Sequence, residues 1–294
     1  MKPAEFEEKE YEGALYNQLE RGNRLLWPPG QVLEGYLGFD RIALLDDGYL
    51  WHVHGIRQPY RGIVPSRFRW PFLPRALKFR LPRFRANCFI QAKRPETGRR
   101  PKKLAGLSTG KPCFRFSIAS DQQSALEAAA RRLRNRALFV YAAPVFSKSR
   151  ELFAYTTRGT MVENSTFPDV LSLAGHKAWY YNEPGASGVV NQGYESLRLP
   201  GLDQQIASLL ERQGDQSEAS LSPSDALVQL RQELEVVVTQ TAEVVDKARS
   251  AYLADEWRRI ESFGESTEAP RALIAFLGIE AFALHFNLAW LTIA

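Results

Sequence analysis

The run Cys88-Phe89-Ile90-Gln91-Ala92-Lys93 constrains this chain more than any other stretch. Its first half is apolar and strand-like, and it closes on two polar side chains two residues apart. In a strand, residues i and i+2 point to the same face. Gln91 and Lys93 therefore emerge together where a buried strand ends. Burying an ammonium costs free energy unless a negative group offsets it. The strand thus predicts an anion at its end, either a carboxylate of the chain or a phosphate brought to it.

Basic charge gathers around the same stretch. The interval 57–115 holds 17 of the 38 Lys and Arg residues but one of the 33 acids, Glu96, so the rest of the chain is acidic. A local basic block points to a polyanion surface rather than to general solubility. Within it Arg67, Arg69, Arg80, Arg83 and Arg85 alternate with Phe68, Trp70, Phe79 and Phe84, and Arg94 follows the strand. Cations meet phosphates and rings stack on exposed bases. Five prolines between Pro59 and Pro82 break regular structure here. The same composition also describes a solvated insertion whose rings pack on the domain, and both readings stand.

Residues 4–21 read as a helix, with Glu12, Leu15, Tyr16 and Leu19 on one face. Glu12 is the one carboxylate on that stripe; solvation at the stripe's edge is the plainer account of it. Gly38-Phe39-Asp40 leads into the apolar run 41–45, a buried strand, where Asp40 also suits a turn cap. Asp46-Asp47-Gly48 turns into residues 49–54, a second strand on which His52 and His54 share a face without further zinc ligands nearby. Residues 121–136 form a helix and 137–143 a buried strand. The order helix, strand, strand, strand, helix, strand predicts an α/β domain. Residues 213–224 read as a linker, 225–260 as one or two helices, and the apolar segment 272–294 as a buried helix rather than a membrane span, since it contains Glu280, His285 and Asn287. The expected division is a domain over 1–200, with a basic Pro/Arg-rich insertion at about 55–87, and a helical C-terminal region over 201–294.

Glu12, Asp40, Gln91 and Lys93 together suit phosphodiester hydrolysis, which uses a divalent metal to polarise the phosphate and activate water. Magnesium takes one or two carboxylates and otherwise water or phosphate oxygens. Asp40 and one Glu, Glu12 in this constellation, are the carboxylate ligands expected, with Gln91 either adding a carbonyl or positioning a water. Lys93 stabilises developing negative charge or orients the attacking water. Gln122, opening the next helix, is placed to touch a phosphate backbone, or is an ordinary exposed glutamine.

At these residues the chain resembles the PD-(D/E)xK nuclease superfamily, and within it the Mrr-type restriction endonucleases. The likeness rests on Gly38-Phe39-Asp40 entering a strand and on Phe89-Ile90-Gln91-Ala92-Lys93 ending one. It covers roughly residues 4–145. It implies a restriction-endonuclease-like core, a central mixed sheet flanked by helices, with Mg2+ or Mn2+ and cleavage of DNA in restriction or anti-phage defence. It matches the family's first-helix acid to Glu12, with Glu34 as a second candidate. The chain departs from the pattern in the long interval between Asp40 and Gln91, filled by the basic insertion. It departs again at Gln91, an amide where an acid is usual.

The expectation is therefore a magnesium-dependent nuclease. A catalytically inactive nucleic-acid-binding module and a structural subunit of a defence complex are the alternatives. The C-terminal helices are the surface for a second copy or a protein partner. Two cysteines and an acidic start lacking an apolar core predict a reduced, cytoplasmic setting with no membrane.

Overall fold

The computed structural model describes residues 1–22, 26–27, 84–99, 101, 104, 106–185, 187–191, 194–214, 222–242, 247–267 and 271–293. These form an α/β fold with seven α-helices and two sheets. Strand β3, Ala86–Ala92, is the run singled out above, and all seven of its residues are buried. It pairs in parallel with β6, Ala137–Pro144, with Gln91 opposite Tyr141. A parallel pair needs a long crossover, and helix α2, Ser120–Arg132, lies within it.

The other edge of β3 is taken by β11, Ala289–Ile293, which runs antiparallel to it and also pairs with β2, Leu26–Trp27. With β7, Ser165–Thr166, beyond β6, the mixed sheet reads β2-β11-β3-β6-β7. The second sheet is antiparallel throughout, in the order β1-β4-β5-β8-β9-β10. Its strands are Lys2–Pro3, Glu96–Gly98, Cys113–Ser117, Ala178–Tyr181, Ser187–Val190 and Ser196–Arg198 in that order. Only Lys93, Arg94 and Pro95 separate β3 from β4. The chain therefore changes sheets at Lys93.

Alternation along β3 and β6 feeds two cores. Phe89, Phe139 and Tyr141 face one cluster with α2 and with α5, Pro223–Thr241, α6, Lys247–Thr267, and α7, Arg271–His285. Cys88, Ile90, Ala92 and Val140 face the other, with α1, Glu8–Gly22, and α4, Leu202–Gly214. Helix α3, Ser149–Arg158, adds Leu152 and Tyr155 to that second cluster. Both faces of the mixed sheet are covered, as a strand buried on both sides requires.

The segment 272–294 is not one helix. α7 stops at His285, and Asn287 adopts φ 52°. Leu288 N–H donates to the Ala283 carbonyl at 2.8 Å and Asn287 N–H to the Leu284 carbonyl at 3.1 Å, the paired bonds of a Schellman cap with Asn in the left-handed position. Trp290, Leu291, Thr292 and Ile293 then suit a strand better than a helix. Among the described residues no helix is long and apolar enough to cross a membrane.

Candidate functional site at the end of strand β3

Lys93 sits where β3 leaves the mixed sheet. Its backbone N–H donates to the Ala142 carbonyl at 2.8 Å, which fixes the strand end against β6. The side chain is mostly buried, and its Nζ lies 5.4 Å from the centroid of the Tyr141 ring. Burial holds the ammonium below the ordinary lysine value, while the charge of Glu8 pulls it back up. No ion pair joins Lys93 to an acid among the described residues, so the aromatic face of Tyr141 and the more distant Glu8 are its electrostatic company.

Tyr141 is fixed for this role. Its hydroxyl donates to Gln123 Oε1, and Gln123 Nε2 donates to Glu127 Oε1 and to the Val170 carbonyl, both at 3.0 Å. Burial first, and then the charge of Glu127, push the phenol far above its usual range. It stays a neutral donor with its ring turned to Lys93.

Helix α1 brings two carboxylates to the same end of β3. Glu8 Oε2 accepts from the Arg94 N–H at 3.2 Å, and its Oε1 accepts from Asn287 Nδ2 at 3.0 Å. Glu12, one turn further on, pairs with Lys9 at 2.7 Å, and Lys9 donates to Asn287 Oδ1 at 3.0 Å. An acid in the first turn of a helix is favoured by the macrodipole. Tyr16, a turn after Glu12, donates to the Ile90 carbonyl at 3.1 Å. It is held protonated by burial and, secondarily, by Glu12.

The turn Phe286-Asn287 is the hub of the arrangement. The Phe286 carbonyl accepts from Gln91 Nε2 at 2.8 Å and from Gln122 Nε2 at 2.5 Å. The adjacent Asn287 side chain takes Glu8 and Lys9. Four segments distant in sequence, α1, β3, α2 and the end of α7, thus meet at one turn. Gln91 is 1 % exposed, and its Oε1 has no hydrogen-bond partner among the described residues. A buried carbonyl oxygen left this way is uncommon.

This hub predicts a measurable cost for Asn287→Ala. Alanine in the left-handed region costs about 1 kcal/mol, and the lost hydrogen bonds add a similar amount. A loss of about 2 kcal/mol is expected in urea denaturation, part of it recovered by Asn287→Gly. Equal losses for the two variants would mean that the backbone conformation contributes nothing.

Of the residues expected from sequence, Gln91 reaches this hub directly and Glu12 through Lys9, while Lys93 stands at the same strand end within the field of Glu8. Glu12 is there, yet Glu8 is the carboxylate whose charge reaches Lys93. Arg94 is engaged within the chain: its guanidinium donates to Glu7 at 2.8 Å and to the Ala4 carbonyl at 2.6 Å. Gln122 holds Phe286 rather than standing exposed. Arg85 lies at the opposite end of β3, exposed, with Nη2 donating to the Leu210 carbonyl at 3.2 Å. Asp40, Glu34, Arg67, Arg69, Arg80 and Arg83 lie outside the described residues, as do His52 and His54. Glu8, Tyr141 and Asn287 were not singled out from sequence. Glu8 had a signal, since it stands four residues before Glu12 and so on the same face.

Among the described residues no three His, Cys, Asp or Glu side chains form a group able to hold a metal. The oxygen donors present, Glu8, Glu12 and the Gln91 carbonyl, are of the hard type that magnesium takes. Gln91 Oε1 and Glu12 Oε2 are both buried without a hydrogen-bond partner among the described residues, Glu12 having only its ion pair with Lys9. Comparison with protein-family models, with curated proteins and with solved structures finds no match to this chain.

Proposed function

We propose that the chain is a magnesium- or manganese-dependent nuclease of DNA, with a restriction-endonuclease-like core similar to that of the PD-(D/E)xK superfamily. The observation that carries this reading is the mostly buried Lys93 at the end of β3, two residues after Gln91 and within the field of an acid from the first helix. The parallel pairing of β3 with β6, with α2 in the crossover between them, supports it as well, although β4 and β5 of the second sheet also lie within that crossover.

In this reading a divalent ion, when bound, polarises the scissile phosphate and activates water. Glu8 or Glu12, Gln91 Oε1 and Asp40 are the groups to hold it. Lys93 stabilises negative charge that develops on the phosphate oxygens, in a setting where low polarity strengthens the attraction. Tyr141 keeps the ammonium in place without neutralising it. A second reading, a nucleic-acid-binding module without catalysis, is favoured by one observation. Gln91 is uncharged and its amide N–H is already committed to Phe286.

Cleavage of supercoiled plasmid by the purified full-length chain separates the two. Nicked or linear product is expected with magnesium or manganese and not with EDTA. Glu8→Gln is expected to slow cleavage by roughly tenfold or more, since it removes a ligand charge. Intact plasmid with either metal, at protein concentrations that bind it, would leave the binding module standing.

A further inference from the structure

A second concentration of positive charge lies away from this site. Arg131, Arg132, Arg134 and Arg136 fall within six residues, at the end of α2 and in the turn that enters β6. They line a hollow of about 420 Å³ with Gln229 and Glu233 of α5. Arginine at a helix C-terminus has a simple explanation, because guanidinium groups offset the exposed carbonyls there. That explanation does not suffice here. The Ala129 carbonyl accepts from Leu133 N–H, the Leu133 carbonyl from Arg136 and Ala137 N–H, the Asn135 carbonyl from Gln213, and the Arg136 carbonyl from Asn87. The carbonyls of Leu133, Asn135 and Arg136, just past the helix, are thus taken by amide donors and not by guanidinium groups.

Two guanidinium groups are instead oriented by acids. Arg131 pairs with Glu127 at 2.9 Å, and Arg132 pairs with Glu233 across to α5. Arg134 is exposed and makes no ion pair among the described residues. Arg131, Arg132 and Arg134 against Glu127 and Glu233 leave this part of the hollow positive among the described residues. The planar guanidinium fork matches phosphate oxygens. Among the described residues no aromatic ring lines the hollow to stack on a base. Ala137, the first residue of β6, is opposite Asn87, about six residues and roughly 20 Å along β3 from Lys93.

We infer that the arginine-lined hollow at the end of α2 is an anchor for backbone phosphates of a nucleic acid, binding without regard to sequence. It stands at the opposite end of β3 from the candidate catalytic residues and does not depend on cleavage there. Phosphate contacts of this kind position a nucleic acid but carry no sequence information.

The test is fluorescence polarisation with the full-length chain and two labelled duplexes of unrelated sequence, over a salt series, with inorganic tripolyphosphate as competitor. Arg131→Ala/Arg134→Ala is expected to bind both duplexes about tenfold or more weakly. Its slope of log affinity against log salt is expected to be shallower by about 2, as two lost phosphate contacts require. Arg158→Ala, at an exposed arginine of α3 outside the hollow, serves as the control and is expected to keep the wild-type slope. Binding is read apart from cleavage, so an inactive enzyme and a missing anchor give different results. If the double variant melts early, Arg134→Ala alone replaces it, with a slope change of about 1. Unchanged affinity and slope, or no duplex binding by the wild type, overturns the inference. So does a variant that loses tripolyphosphate but retains duplex binding, which would make a free polyphosphate the ligand.

Discussion

Lys93→Met is expected to make the protein more stable and to slow metal-dependent cleavage sharply. The two outcomes come from one physical fact. The ammonium is mostly buried beside a ring and a carboxylate that stops short of an ion pair, and burial lowers its pKa from the ordinary 10.5. A cation with a lowered folded-state pKa weakens the fold. The cost is present in full below that lowered pKa and is relieved as pH rises through it toward 10.5. Methionine fills a similar volume without the charge, so a gain of about 1 kcal/mol or more is expected at neutral pH. For a chain of this size that is a melting temperature higher by roughly 2–4 °C. The advantage over wild type should shrink as pH rises, because the wild-type lysine then sheds its proton.

Cleavage should fall by a factor of about 10²–10³, the usual effect of removing one group that stabilises developing charge. A residue whose replacement improves stability while removing activity is held in place by function. Thermal melts from pH 6 to 10, run beside plasmid assays, check both halves. A methionine variant less stable than wild type at neutral pH would show that Tyr141 and Glu8 more than offset the desolvation. Lys93 would then be explained by structure alone.

Particular residues show how far the chain can be read before it is folded. The apolar run before Gln91 and the alternation that puts Phe89 and Gln91 on one face gave β3 and the end at which chemistry gathers. The stripe containing Leu15 and Leu19 gave α1, and both leucines are buried. These features are local, and local periodicity reports them directly. The partner of β3 is not local. That β11, from the far end of the chain, pairs with β3 depends on which distant edge is free, and no spacing within either strand encodes it. The run 272–294 failed as a helix for a related reason. It is apolar over most of its length, so it has little period to distinguish helix from strand, and of its few polar residues Asn287 marks the cap. Side-chain type misled at Arg94 and Gln122. Both are chemically fit for phosphate, but the fold supplies Glu7, Ala4 and the Phe286 carbonyl first. A count of charges along the chain does not show which of them the fold itself will pair.

Deleting residues 287–294 is expected to unfold the whole chain rather than trim a tail. β11 pairs with β3 over five positions, from Ala289 opposite Ile90 to Ile293 opposite Ala86. Removing it leaves the backbone donors and acceptors of that edge unpaired inside a strand buried on both faces, and each such group costs about 1–3 kcal/mol. The side chains add to this. Trp290 lies 6.4 Å from Phe89 and 5.5 Å from Phe276 between ring centroids, and its indole N–H donates to Asn87 Oδ1 at 2.9 Å. Leu291 and Ile293 project to the other face, into the cluster that holds α1. Burial of three such side chains contributes roughly 5–9 kcal/mol, comparable with the entire stability of an ordinary domain. The milder Trp290→Ala is expected to cost about 3–5 kcal/mol while leaving a cooperative transition. Circular dichroism melts and limited trypsin digestion distinguish the outcomes. The truncated chain should show no cooperative transition and no protected fragment. A resistant fragment spanning α1 to α4 with an unchanged melting temperature would mean that the first 214 residues close their own sheet. Gln91 and Gln122 would then hold their positions without the Phe286 carbonyl, and the site would owe nothing to the last helix.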